Sequence, residues 1–489
     1  MDAMTAPAVS VCRRRLPWKG LATALILTGI LLYAFYLRHN TFWLAHWKGD
    51  QNNYIALAMK LDYQGIDGYT LREVMMGAKT FPGNPPIDLM VTKPAPRGEE
   101  GDMVRVLRMA GLDYFDQPLH IRAPLLPYLL MYSHRIFASK NPLYTVCATN
   151  LGKRVKDTKP LFIMIAQFWV CIVPLFFNLS VILLSFWMGA RLFNRRVGLM
   201  AAAIITTNSV SLLLGHLVLV EDVTVFFIII ACMLYHEFFQ KKWWGVFAAG
   251  IAAGLAIMAK QTAGILLAGL WVYSLLRCHR DGMNWRQWIR AAVRSDYLIF
   301  LAAVGLVTAP WFYKVWHIYG NPLYVGDAGA MSRAGVQDIT GWFGAMRKRP
   351  PTVIFFSLGV VTICPVFAAA FFSIKRLKTE ASDLWHKRSD ASTPLTMLWL
   401  WILSFFMTAA QPMQLLSSGQ NQEHRYFYMA YPAIAVVSAL MLDRFRCLLS
   451  RICPIKWVAD LLVLMILGLS ACVGVPLGMR HVLTQNFLL

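Results

Sequence analysis

The run LFIMIAQFWVCIVPLFFNLSVILLSFWM at residues 161–188 decides the fold class. None of its side chains is charged, and a helix needs only ~20 apolar residues to cross a bilayer. Because lipid offers no partners to backbone amides, a run of this length is a helix. Comparable runs predict further spans at 18–38, 197–215, 223–239, 243–259, 262–278, 297–316, 351–374, 394–411, 426–442 and 457–477. The sequence therefore predicts an all-α polytopic membrane protein with about 11 transmembrane helices.

Composition and charge agree with this assignment. Of 489 residues, 57% are hydrophobic and 15% are charged, and a soluble domain carries ~25% charged residues. The formal net charge of +22 comes from basic clusters at the N-terminus and between spans. Such clusters mark cytoplasmic loops rather than a nucleic-acid surface, so we expect no nucleic-acid partner. With eleven spans, all the internal basic loops are cytoplasmic if the N-terminus is cytoplasmic and the C-terminus lies outside.

Two long loops interrupt what is otherwise a single integral membrane domain over residues 1–489. Residues 39–160 form a large first external loop, and residues 317–350 form a second. Within the first loop, residues 54–61 are amphipathic, and residues 120–130 are apolar but interrupted by prolines. Both pieces are too short to span, so we expect amphipathic helices in the membrane interface. Long loops in compact folds are usually functional.

Charged residues gather at the predicted outer ends of the spans. Asp50 follows the first span, and Glu221 and Asp222 occupy the tight turn between spans three and four. Lys260 follows span five, and Arg425 precedes span ten. Charge is costly in lipid, ~2.5–3.5 kcal/mol at the bilayer centre, so its retention in an apolar hairpin needs a reason.

Each of these residues also has an ordinary structural explanation. Asp50 and the Glu221–Asp222 pair suit the N-terminal turn of a helix, where acids are favourable. Arg425 and Lys260 suit the ends of spans, from which long basic side chains reach the interface. Taken one at a time, the residues therefore leave a structural role open.

The order and sidedness of the motifs are more informative than any single one. An acid follows span one, and an acidic turn precedes a Phe-rich span. A Gly- and Ala-rich stretch (250–260) ends in Lys260, and RYFYMAYP occupies residues 425–432. Residues 122–128, RAPLLPY, carry an Arg-x-Pro-Leu segment. This layout resembles the polytopic GT-C glycosyltransferases, especially bacterial relatives of the protein O-mannosyltransferases and of the aminoarabinose transferase of lipid A. That family commonly has Asp-Glu in the first loop, whereas here Gln51 follows Asp50.

The resemblance implies transfer of a sugar from a polyprenyl-phosphate-linked donor to a hydroxyl of a glycan, lipid or protein acceptor, with inversion. Asp50 is then the general base. Glu221 and Asp222 orient the acceptor or a metal ion, and we expect Glu221 to matter for transfer while Asp222 caps span four. The resemblance names no certain cofactor, but it leaves open Mg²⁺ or Mn²⁺ held by these three acids.

The lipid phosphate of the donor needs cationic partners, and charge-assisted hydrogen bonds are the strong ones. The expected phosphate-binding residues are Arg425, Arg122 and Lys260. Further candidate site residues are Tyr54, His120 and His424.

Two other functions remain open at this point: a secondary transporter, and a ligase or polymerase of polyprenyl-linked glycans. Transporter sites lie near the midplane of internal repeats, whereas these acids lie at outer ends and the sequence shows no repeat. We expect an integral protein of the bacterial inner membrane, surrounded by membrane lipids, with its active site facing the periplasm.

Overall fold

The computed structural model describes residues 18–39, 51, 54–55, 57–58, 61–62, 123–138, 160–278, 283–293, 296–319, 393–409, 428–452 and 455–487. Within these residues the regular structure is helical and contains no strand, which confirms the all-α prediction. The helices are α1 (Trp18–Arg38), α2 (Leu125–Phe137), α3 (Pro160–Leu192), α4 (Arg195–Thr207), α5 (Ser209–Gly215), α6 (Glu221–Phe238), α7 (Trp243–Ala259), α8 (Ile265–Cys278), α9 (Trp285–Val293), α10 (Tyr297–Tyr319), α11 (Thr393–Ala409), α12 (Tyr431–Ile452) and α13 (Lys456–Phe487). Short 3₁₀ turns at Gln261–Gly264 and Tyr428–Ala430 precede α8 and α12.

The described helices include clear membrane spans. Four are long and apolar enough to cross a bilayer: Gly20–Arg38, Phe168–Leu192, Tyr297–His317 and Trp457–Pro476. The pair α4–α5 makes a fifth if it counts as one bent span. Nine of the eleven predicted spans each overlap one described helix, and 197–215 is covered by two, α4 and α5. The predicted span 351–374 lies outside the described residues, as does most of the predicted loop 317–350. The chain is an integral membrane protein, and the total of eleven spans and their sidedness stay predictions.

Span three is not the continuous helix that the sequence predicts. α4 and α5 meet at Asn208 with a bend of 65°. The Asn208 side chain accepts hydrogen bonds from the backbone N–H groups of Val210 and Ser211, both at 3.0 Å. Asn competes with the helical ladder in this way and caps the helix that follows. The prediction of a continuous helix over 197–215 was therefore wrong, because Asn208 ends α4 and begins α5.

A small residue brings two other helices close together. α7 packs between α6 and α10. A Cβ atom on Gly250 would lie 2.4 Å from the backbone oxygen of Phe300 in α10. No side chain fits there, so Gly250 allows the two backbones to approach, as small residues do in membrane bundles.

Buried polar groups lie at two opposite ends of the helices α6, α7 and α8. Glu221 and Lys260 lie at one end, where α6 begins and α7 finishes. The opposite end has its own buried polar group, the hydroxyl of Tyr273 in α8, which is fully buried. His236 Nδ1 lies 2.6 Å from that hydroxyl, and Arg277 Nη1 donates to it at 3.3 Å.

The first external loop contributes a buried helical segment. The described residues between 51 and 62 are all helical, and Tyr54, Ile55 and Leu61 are among its buried side chains. α2 then buries one face, including Leu126 and Leu130, and exposes apolar side chains on the other. α2 therefore has the amphipathic character predicted for residues 120–130 and continues beyond them to Phe137. The amphipathic character of residues 54–61 stays a prediction.

An ionic contact joins the loop segment to α2. Asp62 Oδ2 accepts from His134 Nδ1 at 2.8 Å, and its other oxygen accepts from Arg135 Nε. His134 is 1% exposed, and its ring packs edge-on against Trp169 of α3. Burial lowers the pKa of His134, and Asp62 opposes that shift. At neutral pH the ring is therefore uncharged and donates one hydrogen bond to Asp62.

We expect Asp62→Ala to destabilise the protein by ~1–3 kcal/mol, because it removes the carboxylate that accepts from the buried Nδ1–H of His134. Thermal unfolding in detergent measures this loss. The control is Arg135→Ala, which removes the exposed arm of the same contact and should cost ~1 kcal/mol or less. Equal losses in the two variants would show that the buried bond to His134 contributes nothing.

Candidate functional site

Two acids occupy the first turn of α6. Glu221 and Asp222 are each only 2% exposed. The N-terminal end of a helix favours negative charge. The cap residue of α6 is Val220, with no side-chain cap bond, so neither acid caps the helix. The expectation that Asp222 acts as the cap of this span was wrong, because its side chain is bonded elsewhere.

Asp222 instead joins three distant segments. Its Oδ1 accepts from the hydroxyl of Tyr428 at 2.6 Å and from Nδ2 of Asn178 at 2.9 Å. Asn178 belongs to α3, Tyr428 to the 3₁₀ turn before α12, and both are fully buried. A buried carboxylate is tolerable only when it is paired or hydrogen-bonded, and these two donors meet that requirement.

Glu221 faces a different partner. Lys260 Nζ lies 2.9 Å from Glu221 Oε1, with the Lys260 side chain 14% exposed. Lys260 follows the last residue of α7 in extended conformation, which turns it out of the helix. The structure therefore brings together one predicted phosphate-binding residue and one predicted acceptor-orienting residue as an ion pair.

Arg38 is the residue that the sequence analysis missed. It ends α1 and is fully buried. Its guanidinium donates to the backbone oxygen of Thr206 at 3.3 Å and to Oγ of Ser211 at 3.1 Å. The Thr206 oxygen is available because Val210, whose N–H would bond it in a continuous helix, bonds Asn208 instead. An arginine at the predicted outer end of a span, opposite to the positive-inside trend, was the signal in the sequence.

The backbone of Gly215 lies directly over this polar cluster. A Cβ atom there would be 3.0 Å from Arg38 Nε and 3.0 Å from both Cγ and Nδ2 of Asn178. Gly215 also ends α5, just before the turn that leads to Glu221. At position 215 there is thus no room for a side chain, and the polar cluster packs directly against the segment that leads to the acidic turn.

The first external loop reaches the same turn through Gln51. Its Oε1 accepts from the backbone N–H of Val218 at 2.9 Å, and the side chain is 7% exposed. Gln51 is the position at which the resembling family commonly has Glu. An amide oxygen bonds Val218 without placing a further charge beside Glu221 and Asp222.

Several predicted site residues lie outside the described residues: Asp50, His120, Arg122, His424 and Arg425. Tyr54 is described and is 4% exposed within the core. In the described part of the chain, no three His, Cys, Asp or Glu side chains are grouped to hold a metal ion. Because Asp50 is outside that part, the proposed Mg²⁺ or Mn²⁺ stays a prediction.

A model of the dolichyl-phosphate-mannose-protein mannosyltransferase family matches residues 111–319. The chain resembles that family. The matched region contains the acidic pair and Lys260, and the predicted resemblance to GT-C-type membrane glycosyltransferases is confirmed. No curated protein sequence matches the chain.

The fold is similar to that of the Archaeoglobus fulgidus oligosaccharyltransferase. Its apo form aligns with a TM-score of 0.50 at 14% identity, covering 94% of this chain and 56% of that one. The same protein tethered to an acceptor peptide containing the NVT sequon aligns with a TM-score of 0.51 at 14% identity, covering 95% and 55%. The chain thus spans little more than half the length of these proteins. ArnT from Cupriavidus metallidurans, bound to undecaprenyl phosphate, aligns at 0.47 and 12% identity, covering 88% and 61%.

We expect Gly215→Ala to displace Arg38 or Asn178, because its Cβ would meet both at 3.0 Å. The variant should lose stability by ~1–3 kcal/mol, the usual range for overpacking. Thermal unfolding in detergent is the measurement, and Gly305→Ala is the control, since a Cβ at Gly305 meets nothing within 4 Å. Unchanged stability of Gly215→Ala would contradict the close fit.

The Glu221–Lys260 pair predicts non-additive effects on stability. Lys260→Met should destabilise strongly, at ~3–5 kcal/mol, because it removes the ammonium partner of a buried carboxylate. The double variant Glu221→Gln with Lys260→Met should recover part of that loss. Unfolding temperatures of the two single variants and the double variant test the coupling. Strictly additive losses would mean that the two charges do not depend on each other.

Proposed function

We propose that the protein is a glycosyltransferase. It moves a sugar from a polyprenyl-phosphate-linked donor to an acceptor hydroxyl at the periplasmic face of a bacterial inner membrane. The observation that carries the proposal is the family match over residues 111–319, a region that includes the buried acidic turn of α6 and its partner Lys260. Acids held at one end of a helical bundle, beside a cation, suit chemistry in which a hydroxyl attacks and a phosphate leaves.

The reaction needs a base at the acceptor. The acceptor oxygen attacks the anomeric carbon, the bond from that carbon to the donor phosphate breaks, and the anomeric centre is inverted. The hydroxyl proton passes to Asp50, our candidate general base, a role worth ~10²–10⁴-fold in rate. Gln51, the next residue, is anchored to the turn before Glu221, and this contact supports placing loop and turn in one site.

The leaving group is a lipid phosphate, whose charge must be stabilised as the bond breaks. Arg425 and Arg122 would bind it, together with Lys260. Glu221 accepts a hydrogen bond from the Lys260 ammonium group at 2.9 Å. Glu221 thus orients the ammonium group, and Asp222 orients the acceptor.

A transporter would carry polyprenyl-linked sugar without altering it, and a glycan ligase would lengthen the glycan. Incubating the purified protein with radiolabelled polyprenyl-phosphate sugars, followed by thin-layer chromatography, separates these outcomes. Sugar moved to an acceptor supports transfer. A lengthened glycan supports the ligase, and unchanged donor in the presence of every acceptor class would rule out the proposal.

Asp50→Asn should fold normally and lose transfer by ~10²-fold or more, because the amide cannot take up the proton. Asn and Asp cap helices about equally well, so a structural role for Asp50 predicts little change. The measurements are transfer rate and thermal unfolding of the same preparation. Full activity in a well-folded variant would move the base to another residue.

A further inference from the structure

Both described hydrogen bonds to the Asp222 carboxylate converge on a single oxygen. Tyr428 and Asn178 donate to Oδ1, at 2.6 and 2.9 Å. The second oxygen, Oδ2, makes no hydrogen bond to any residue in the described ranges, and the side chain keeps 2% exposure. The two hydrogen bonds to Oδ1 fix the orientation of the Asp222 carboxylate. They leave Oδ2 to bind a different group.

The orientation of the Asn178 amide is fixed by its surroundings. Its Nδ2 lies 2.9 Å from Asp222 Oδ1 and 3.2 Å from the backbone oxygen of Ser211, and both of these atoms are acceptors. The nitrogen must therefore face them, because an amide oxygen in that place would be repelled. Ser211 also accepts from Arg38 through its hydroxyl, so Asn178 is braced by the polar cluster around the α4–α5 bend.

Tyr428 is held independently of Asp222. The next residue, Met429, accepts at its backbone oxygen from Trp401 Nε1 in α11 at 3.0 Å. The 3₁₀ turn Tyr428–Ala430 is buried throughout and packs against α6, α11 and α12. Removal of the Tyr428 hydroxyl therefore takes one hydrogen bond from Asp222 while the turn keeps its other anchors.

We propose that Asn178 and Tyr428 are positioning residues that hold Asp222 through Oδ1 and so present Oδ2 to the acceptor hydroxyl. This inference rests on the proposed glycosyl transfer. Oδ2 accepts a hydrogen bond from the acceptor hydroxyl and directs its oxygen towards the anomeric carbon. Asp222 takes up no proton and forms no covalent bond in this step. The acid that matters most for acceptor orientation is then Asp222, whereas Glu221 is committed to Lys260.

The kinetic test uses Tyr428→Phe and Asn178→Leu, each of which removes one hydrogen-bond donor to Asp222 while keeping the branching of the side chain. Each should lower kcat about tenfold to a hundredfold, the worth of a hydrogen bond to a charged group, and leave the KM for the lipid donor unchanged. The control is Tyr273→Phe, which removes an equally buried tyrosine hydroxyl at the opposite end of the bundle and should keep wild-type kcat. Wild-type kcat in Tyr428→Phe, or an equal loss in Tyr273→Phe, would overturn the proposal.

A double variant separates positioning from general support of the fold. In an Asp222→Asn background, Tyr428→Phe should change kcat by less than about twofold, because there is no carboxylate left to position. A further loss as large as in the wild-type background would mean that Tyr428 acts elsewhere.

A spectroscopic readout makes the test independent of turnover. Infrared spectra of protein labelled with ¹³C-aspartate, with Asp222→Asn as the reference that identifies the band, report the carboxylate stretch of Asp222. Tyr428→Phe and Asn178→Leu should shift that band, and Tyr273→Phe should not. An unshifted band would overturn the positioning role even if transfer occurs. A shifted band in a protein that transfers no sugar would count against the proposed function alone.

Discussion

A helix that breaks inside an apolar bundle leaves carbonyl groups without their usual partners, and lipid supplies none. In this chain the break at Asn208 is satisfied by Arg38, whose guanidinium bonds the Thr206 oxygen and the Ser211 hydroxyl. The negative end of α4 and the positive side chain also suit each other electrostatically. Because α5 leads directly into the acidic turn, this one contact sets the direction in which Glu221 and Asp222 enter α6.

Glu221 and Asp222 are both carboxylic acids, but they differ in the groups that bind them. Glu221 meets a cation that keeps some exposure, and Asp222 meets two neutral donors that are fully buried. Removal of one member of a buried pair costs more stability than the intact pair contributes. Replacement of any one of these residues alone should therefore destabilise the protein. The polar end of the bundle is therefore a fixed scaffold to which the first external loop is attached through Gln51, while Asp62 joins two helical segments of that loop to each other.

Length and hydropathy were enough to predict most of the long helices in the described residues, because a long apolar run in lipid has only one regular structure available. Charge within apolar runs also singled out Glu221, Asp222 and Lys260. The bend was missed because hydropathy averages over TTNS at residues 206–209, where the competing hydrogen bonds of Asn208 decide the geometry. Asn178 was missed because an uncharged amide inside an apolar run does not stand out in the sequence, and its partners Asp222 and Tyr428 are distant in sequence. Partners of that kind become visible only when the helices are packed.

The long sequence separation of the Arg38 contacts also constrains biogenesis. Arg38 bonds Thr206, which is 168 positions later in the chain, and Gln51 bonds Val218, 167 positions later. During synthesis the first helix enters the membrane long before either partner exists. The Arg38 side chain must therefore remain in the hydrated headgroup region, where a long basic side chain at a helix end is tolerated. Its burial marks a late event, the docking of the first helix against the bent one, so the acidic turn is completed only after the chain has been synthesised beyond Val218.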